Sequence, residues 1–79
     1  MNILLFGIAK DIVGKSEINL ESNNTIKSVS DLIDYLKSTY PEFQRLDALA
    51  VAVNNTYATP EKALTNKDEI AIIPPVSGG

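Results

Sequence analysis

One stretch, "SVSDLIDYLKSTYP" (residues 28–41), constrains what this chain can become more than any other. Val29, Leu32, Ile33, Leu36 and Tyr40 recur at i, i+3, i+4, i+7 and i+11, which places them on a single face of a helix. Ser28 fits the N-cap, and Asp31, three residues on, fits the reciprocal position of a capping box. Pro41 disfavours helical geometry at Tyr40, so the helix should stop there. The flanking segments alternate with the period of a strand. A lone amphipathic helix among strands must bury its stripe against one face of a sheet.

The strands can be read in order. "NILLFGIA" (residues 2–9) is apolar on both alternating faces, with Ile3 and Leu5 on one and Leu4, Phe6 and Ile8 on the other. That pattern suits a strand with neighbours on both sides. "SEINLES" alternates cleanly, Ile18 and Leu20 inward and Glu17, Asn19 and Glu21 outward, as an edge strand would. The segment between them, Lys10–Lys15, reads as the long turn of a hairpin. After the helix, "LDALAVAVNN" sends Leu49, Val51 and Val53 one way and Ala48, Ala50 and Ala52 the other. The alanines suggest the place where the helix crosses the sheet closely. Asn54-Asn55 accepts positive φ and favours a tight turn into "TYAT". Thr59-Pro60 should open a short turn, "PEKAL", whose Leu64 plugs the core. Asn66-Lys67-Asp68 then turns the chain into a last strand, "EIAII". The expectation is an α+β fold: one domain over residues 1–79, a mixed sheet with one main helix packed across it.

Composition removes several functions. There is no cysteine and no histidine, so no thiolate or imidazole can serve as nucleophile, general base or metal ligand. No metal site is expected. Seven basic residues against ten acidic give a net charge of −3, which disfavours nucleic acid and anionic membrane as partners. The opening "MNILLFGIAKD" has too short an apolar run for a signal peptide or a membrane span, and no basic region precedes it. A cytoplasmic location is expected. "FGIAKDIVGKS" imitates the end of a phosphate-binding loop at Gly14-Lys15-Ser16, but the required first glycine is Ala9 and Gly7 lies too far upstream. The residues after Ser16 also alternate like a strand instead of opening a helix, so Gly14-Lys15 reads as a turn. Asp31 and Asp34 share a helix face as solvated acids do, and Tyr35, Tyr40 and Tyr57 fit a core edge or an interface better than catalysis.

What remains is the end of the chain, "IIPPVSGG" (residues 72–79). Pro74 and Pro75 have no backbone N–H, so they stop the last strand and favour an extended path away from the body. Val76 and Ser77 follow, and then Gly78 and Gly79, which lack a Cβ and can thread a channel closed to other residues. Residues 74–79 thus form an extended C-terminal tail with a stiff root and a slim tip. Its reactive group is the Gly79 carboxylate, an anion at neutral pH with an ordinary pKa of about 3.5. Such a carboxylate can attack the α-phosphate of ATP to give an acyl-adenylate.

Here the sequence resembles the MoaD/ThiS sulfur-carrier family, which has the β-grasp (ubiquitin-like) fold. "DEIAIIPPVSGG" is similar to that family's acidic turn, apolar strand, Pro-Pro and terminal Gly-Gly, "VNNTY" to its Val-Asn hairpin, and "SVSDLIDYLKSTYPEF" to its capped helix. "LLFGIAKDIVG" matches the opening strand and loop only loosely: Lys10 stands where the family carries arginine, and Asn66-Lys67-Asp68 replaces a Gly-Asp turn. The long first loop and the Pro-Pro step favour the branch that forms the small subunit of molybdopterin synthase. The resemblance implies that an E1-like (MoeB-type) enzyme uses ATP to adenylate Gly79, and that a sulfur donor converts it to a thiocarboxylate. The tail of Pro74, Pro75, Val76, Ser77, Gly78 and Gly79 would then insert into the large catalytic subunit of a heterotetramer. There sulfur passes to a cyclic pyranopterin phosphate precursor. On this reading the chain holds no stable cofactor and is a non-catalytic sulfur donor. A carrier for thiazole or RNA thiolation, or a ubiquitin-like protein modifier, is the alternative. Partners should also recognise a sheet face beside the tail, with Phe6 and Ile73 as candidates, although an ordinary place in the core is the favoured reading of each.

Overall fold

The computed structural model describes residues 1–21, 26–46 and 49–74. The expected helix, α2 (Val29–Thr39), forms between the expected caps. Ser28 is extended, and its hydroxyl accepts a hydrogen bond from the Asp31 N–H at 3.2 Å. The Asp31 carboxylate reaches one residue further back than a capping box requires, accepting from the Lys27 N–H at 3.0 Å. The other leading donors of α2 find carbonyls in the 60–64 segment: Val29 N–H donates to Lys62 and Ser30 N–H to Pro60, each at 2.9 Å. Helix ends require such partners, and here a turn distant in sequence supplies them. That segment is also held by a bridge between Ser28 and Ala63, which seats Leu64 in the core. At the far end Pro41 opens a 3-10 turn (Pro41–Arg45) that buries Phe43 completely, edge-on to the Tyr40 ring at 6.2 Å between centroids.

The strands are β1 (Asn2–Leu5), β2 (Glu17–Asn19), β3 (Ala50–Val53), β4 (Thr56–Tyr57) and β5 (Glu69–Ile73). They form one mixed sheet in the order β2-β1-β5-β3-β4. β1 and β5 run parallel at its centre, with Ile3 opposite Ile70 and Leu5 opposite Ile72, and all other pairs are antiparallel. Alternation sends Ile3, Leu5, Val51, Val53, Ile70 and Ile72 to one face, where they pack in a single cluster with Val29, Leu32, Leu36 and Phe43. Each such side chain fully removed from water contributes about 1.5–3 kcal/mol. Among the described residues no polar or charged side chain is buried. This is the β-grasp architecture.

Two expectations need correction. Lys10–Lys15 is not an open hairpin turn, because Gly7–Val13 form a short helix, α1, and the first strand ends at Leu5. Ala9 is buried and Ile12 and Val13 half-buried, an i, i+3, i+4 stripe too short to stand out from the apolar strand before it. Gly14 closes α1 in the left-handed conformation, φ 84°, with its N–H bonded to the Lys10 carbonyl at 2.8 Å. The alanines of β3 were the second misreading. Val51 and Val53 face the helix side, and Ala50 and Ala52 are half-buried on the opposite face, so they do not admit the helix. Ala48 lies outside the described residues.

Asn54 and Asn55 adopt φ of 52° and 70°, the pair of positive values a two-residue hairpin needs. Asn54 also clamps the hairpin to β5. Its amide donates to Asp68 Oδ1 at 3.0 Å, its Oδ1 accepts from the Glu69 N–H at 3.0 Å, and Thr65 N–H donates to Asp68 Oδ2 at 2.8 Å. The Thr65 N–H and then the Asn54 amide hold the Asp68 carboxyl below the usual aspartate range. A depressed folded-state pKa stabilises above the unfolded value of about 3.9 and is lost as pH falls through the lower folded value. Asp68→Ala should therefore cost about 1 kcal/mol at neutral pH, limited by solvent screening of a partly exposed site. The difference from wild type should shrink below pH about 4, as read by urea titration across pH.

Candidate functional site: the tail root and the open sheet face

β5 delivers the tail from the middle of the sheet. The strand ends at Ile73, as the missing N–H of Pro74 requires. Pro74 does not start a free arm: it is buried, although the sequence suggests a path leading away from the body at that point. Gly7, at φ +55°, faces it, and a Cβ built there would stand 3.4 Å from Pro74 Cγ. Pro75, Val76, Ser77, Gly78 and Gly79, the rest of the expected tail, lie outside the described residues.

The sheet face away from α2 begins beside this root. Register places Leu4, Ala71, Ala52 and Tyr57 in one row across four strands, with Ile73 opposite Ala50 in the next. Phe6, just past β1, is 49% exposed, and Tyr57 on the last strand is 72% exposed. Phe6 is therefore a surface group and no part of the core, and Ile73 is half-buried on the same open face. A shallow hollow of about 430 Å³ lies among Leu4, Phe6, Gly7, Lys10 and Glu17, so Lys10 shares it with Gly7, the neighbour of Pro74. An apolar surface rimmed by polar groups is the kind that binds another protein. Sequence reasoning missed Leu4, Ala52 and Ala71 here. Their common face follows from β5 lying between β1 and β3, which no local pattern records.

The remaining polar candidates do other work. Asp31 caps α2 and Asp34 is exposed. Tyr35 and Tyr40 pack against the core cluster. Gly14-Lys15-Ser16 follows a helix and leads into β2, so it offers no helix N-terminus to a phosphate.

A mixed five-stranded sheet gripping one main helix, with a tail leaving from its central strand, defines a ubiquitin-like β-grasp domain. The chain belongs to the ThiS family, whose model matches residues 3–79. It is 39% identical over 80 residues to the molybdopterin synthase sulfur carrier subunit of Dictyostelium discoideum, covering 98% of this chain and 93% of that one. Its fold is similar to the crystal structure of small archaeal modifier protein 1 from Haloferax volcanii, with a TM-score of 0.80, 27% identity, and 100% and 98% of the two chains covered. It is similar also to a putative molybdopterin converting factor, subunit 1, from Pyrococcus furiosus, with a TM-score of 0.82, 25% identity and 95% of each chain covered.

Proposed function

We propose that this chain is the sulfur carrier subunit of a molybdopterin synthase. The observation that carries the reading is the family match, which runs through the Gly78-Gly79 end, together with full-length likeness to relatives of that name. The Gly79 carboxylate attacks the α-phosphate of ATP on an E1-like adenylating enzyme, forming a C–O–P bond and releasing pyrophosphate. Sulfide then attacks the acyl carbon and displaces AMP, leaving a terminal thiocarboxylate. The tail enters the active site of the large subunit, and the sulfur passes to a cyclic pyranopterin phosphate precursor. Acid–base groups come from the partner, since this chain has neither histidine nor cysteine. No cofactor is held by the carrier itself, and the exchange takes place in the cytoplasm. The open face with Phe6, Leu4, Ile73 and Tyr57 supplies docking area that a six-residue tail lacks.

Intact mass tests the reading. After incubation with an active adenylating enzyme, ATP and sulfide, the protein should gain the mass of one oxygen replaced by sulfur. No gain would sink it. The likeness to the Haloferax modifier favours one second reading, a ubiquitin-like tag. In that case activated Gly79 would appear in an isopeptide bond to lysine, a linkage the carrier reading does not produce.

A further inference from the structure

Gly7 is placed where its neighbour matters. Leu5 lies opposite Ile72 in the last pair of the parallel β1–β5 ladder, and Gly7 and Pro74 each follow two residues later. At that point the ladder can hold nothing further, because Pro74 has no N–H to donate. The chain instead turns at Gly7 into α1 with φ +55°, and the bare glycine faces the buried Pro74 ring. Any side chain at position 7 would start 3.4 Å from Pro74 Cγ, already in contact with the ring, and a β-branched one has the least freedom to turn its further carbons away from it.

We propose that Gly7 is a positioning residue for the tail root: its empty side-chain space seats Pro74 and so sets the direction in which the chain leaves β5. The kinetic consequence rests on the sulfur-carrier reading given above; the geometric one does not. Misdirecting a reacting group by about 1 Å costs as much as a hundredfold in rate, so a small rotation at the root is enough to matter.

Gly14 provides the control. It also has a positive φ, +84°, but nothing lies within 4 Å of a Cβ built on it. Gly7→Val and Gly14→Val therefore share the left-handed backbone strain, and only the first meets Pro74. With the adenylating enzyme, ATP and sulfide, Gly7→Val should lower kcat for thiocarboxylate formation about tenfold with KM little changed, while Gly14→Val stays near wild type where it is folded. One-bond Cα–Hα dipolar couplings at Ile73 and Pro74, measured on the protein alone, should change in Gly7→Val and not in Gly14→Val. Should Gly7→Val fail to fold, Gly7→Ala takes its place, with a smaller change in the same couplings. Equal couplings and equal kcat in the two glycine variants would overturn the proposal. If the wild type takes up no sulfur from an active enzyme, the function is wrong, and the couplings alone decide the role of Gly7.

Discussion

Phe43→Ala should remove about 3–5 kcal/mol of stability, the usual cost of truncating a fully buried aromatic. Phe43 is completely inaccessible to solvent and is the bulkiest fully buried side chain among the described residues. It projects from a rigid 3-10 turn fixed at its start by Pro41, so the backbone around it has little freedom to collapse into the vacated space. The Tyr40 ring would lose its edge-on partner as well. A domain of this size has roughly 4–12 kcal/mol in total, so the loss is a large share of it. With a urea slope of about 1 kcal/mol per M for a small chain, the midpoint should fall by about 3 M or more. A fall of less than about 1 M would mean that the 3-10 turn is not part of the cooperative core.

Deletion of Gly79 should do the opposite, leaving the urea midpoint unchanged while loading of sulfur drops about a hundredfold or more. Gly79 follows Pro74, the last buried residue among those described, by five positions. The shortened chain still ends in a glycine carboxylate, Gly78, with the same chemistry. What it lacks is reach: one residue spans about 3.5 Å, well beyond the tolerance of an in-line attack on a bound nucleotide. Loading is read by intact mass, and undiminished thiocarboxylate in the deletion would show that terminal position carries no specificity. The two variants separate the parts of the molecule: one is expected to act on stability, the other on sulfur loading alone.

The features legible in the sequence were those with local causes. Ser28 and Pro41 bracket α2 because capping and the pre-proline restriction act within a few residues. Asn54-Asn55 and Pro74 ended their strands for equally local reasons. The family was legible through the resemblance that the tail carries, and the family model that matches residues 3–79 agrees with it; Pro75 to Gly79 themselves lie outside the described residues. α1 escaped because its roughly two turns continue the apolar run of β1, and a Gly at its start looks like any strand glycine until its φ of +55° is seen. The alanines of β3 were misassigned because alternation separates two faces without saying which one meets the helix. The open face required knowing that β5 slides between β1 and β3, a contact spanning most of the chain.

That central position of β5 has a consequence for how the molecule is made. Without residues 69–73 there is no middle to the sheet, and β1 and β3 have no common neighbour. Pairing the first strand with the last closes nearly the longest loop the chain allows, which places it late in folding. A chain still lacking Glu69–Ile73 therefore cannot complete this sheet. Folding thus inspects the chain only as far as its last strand: the sheet closes once residues 69–73 are seated, whatever follows them.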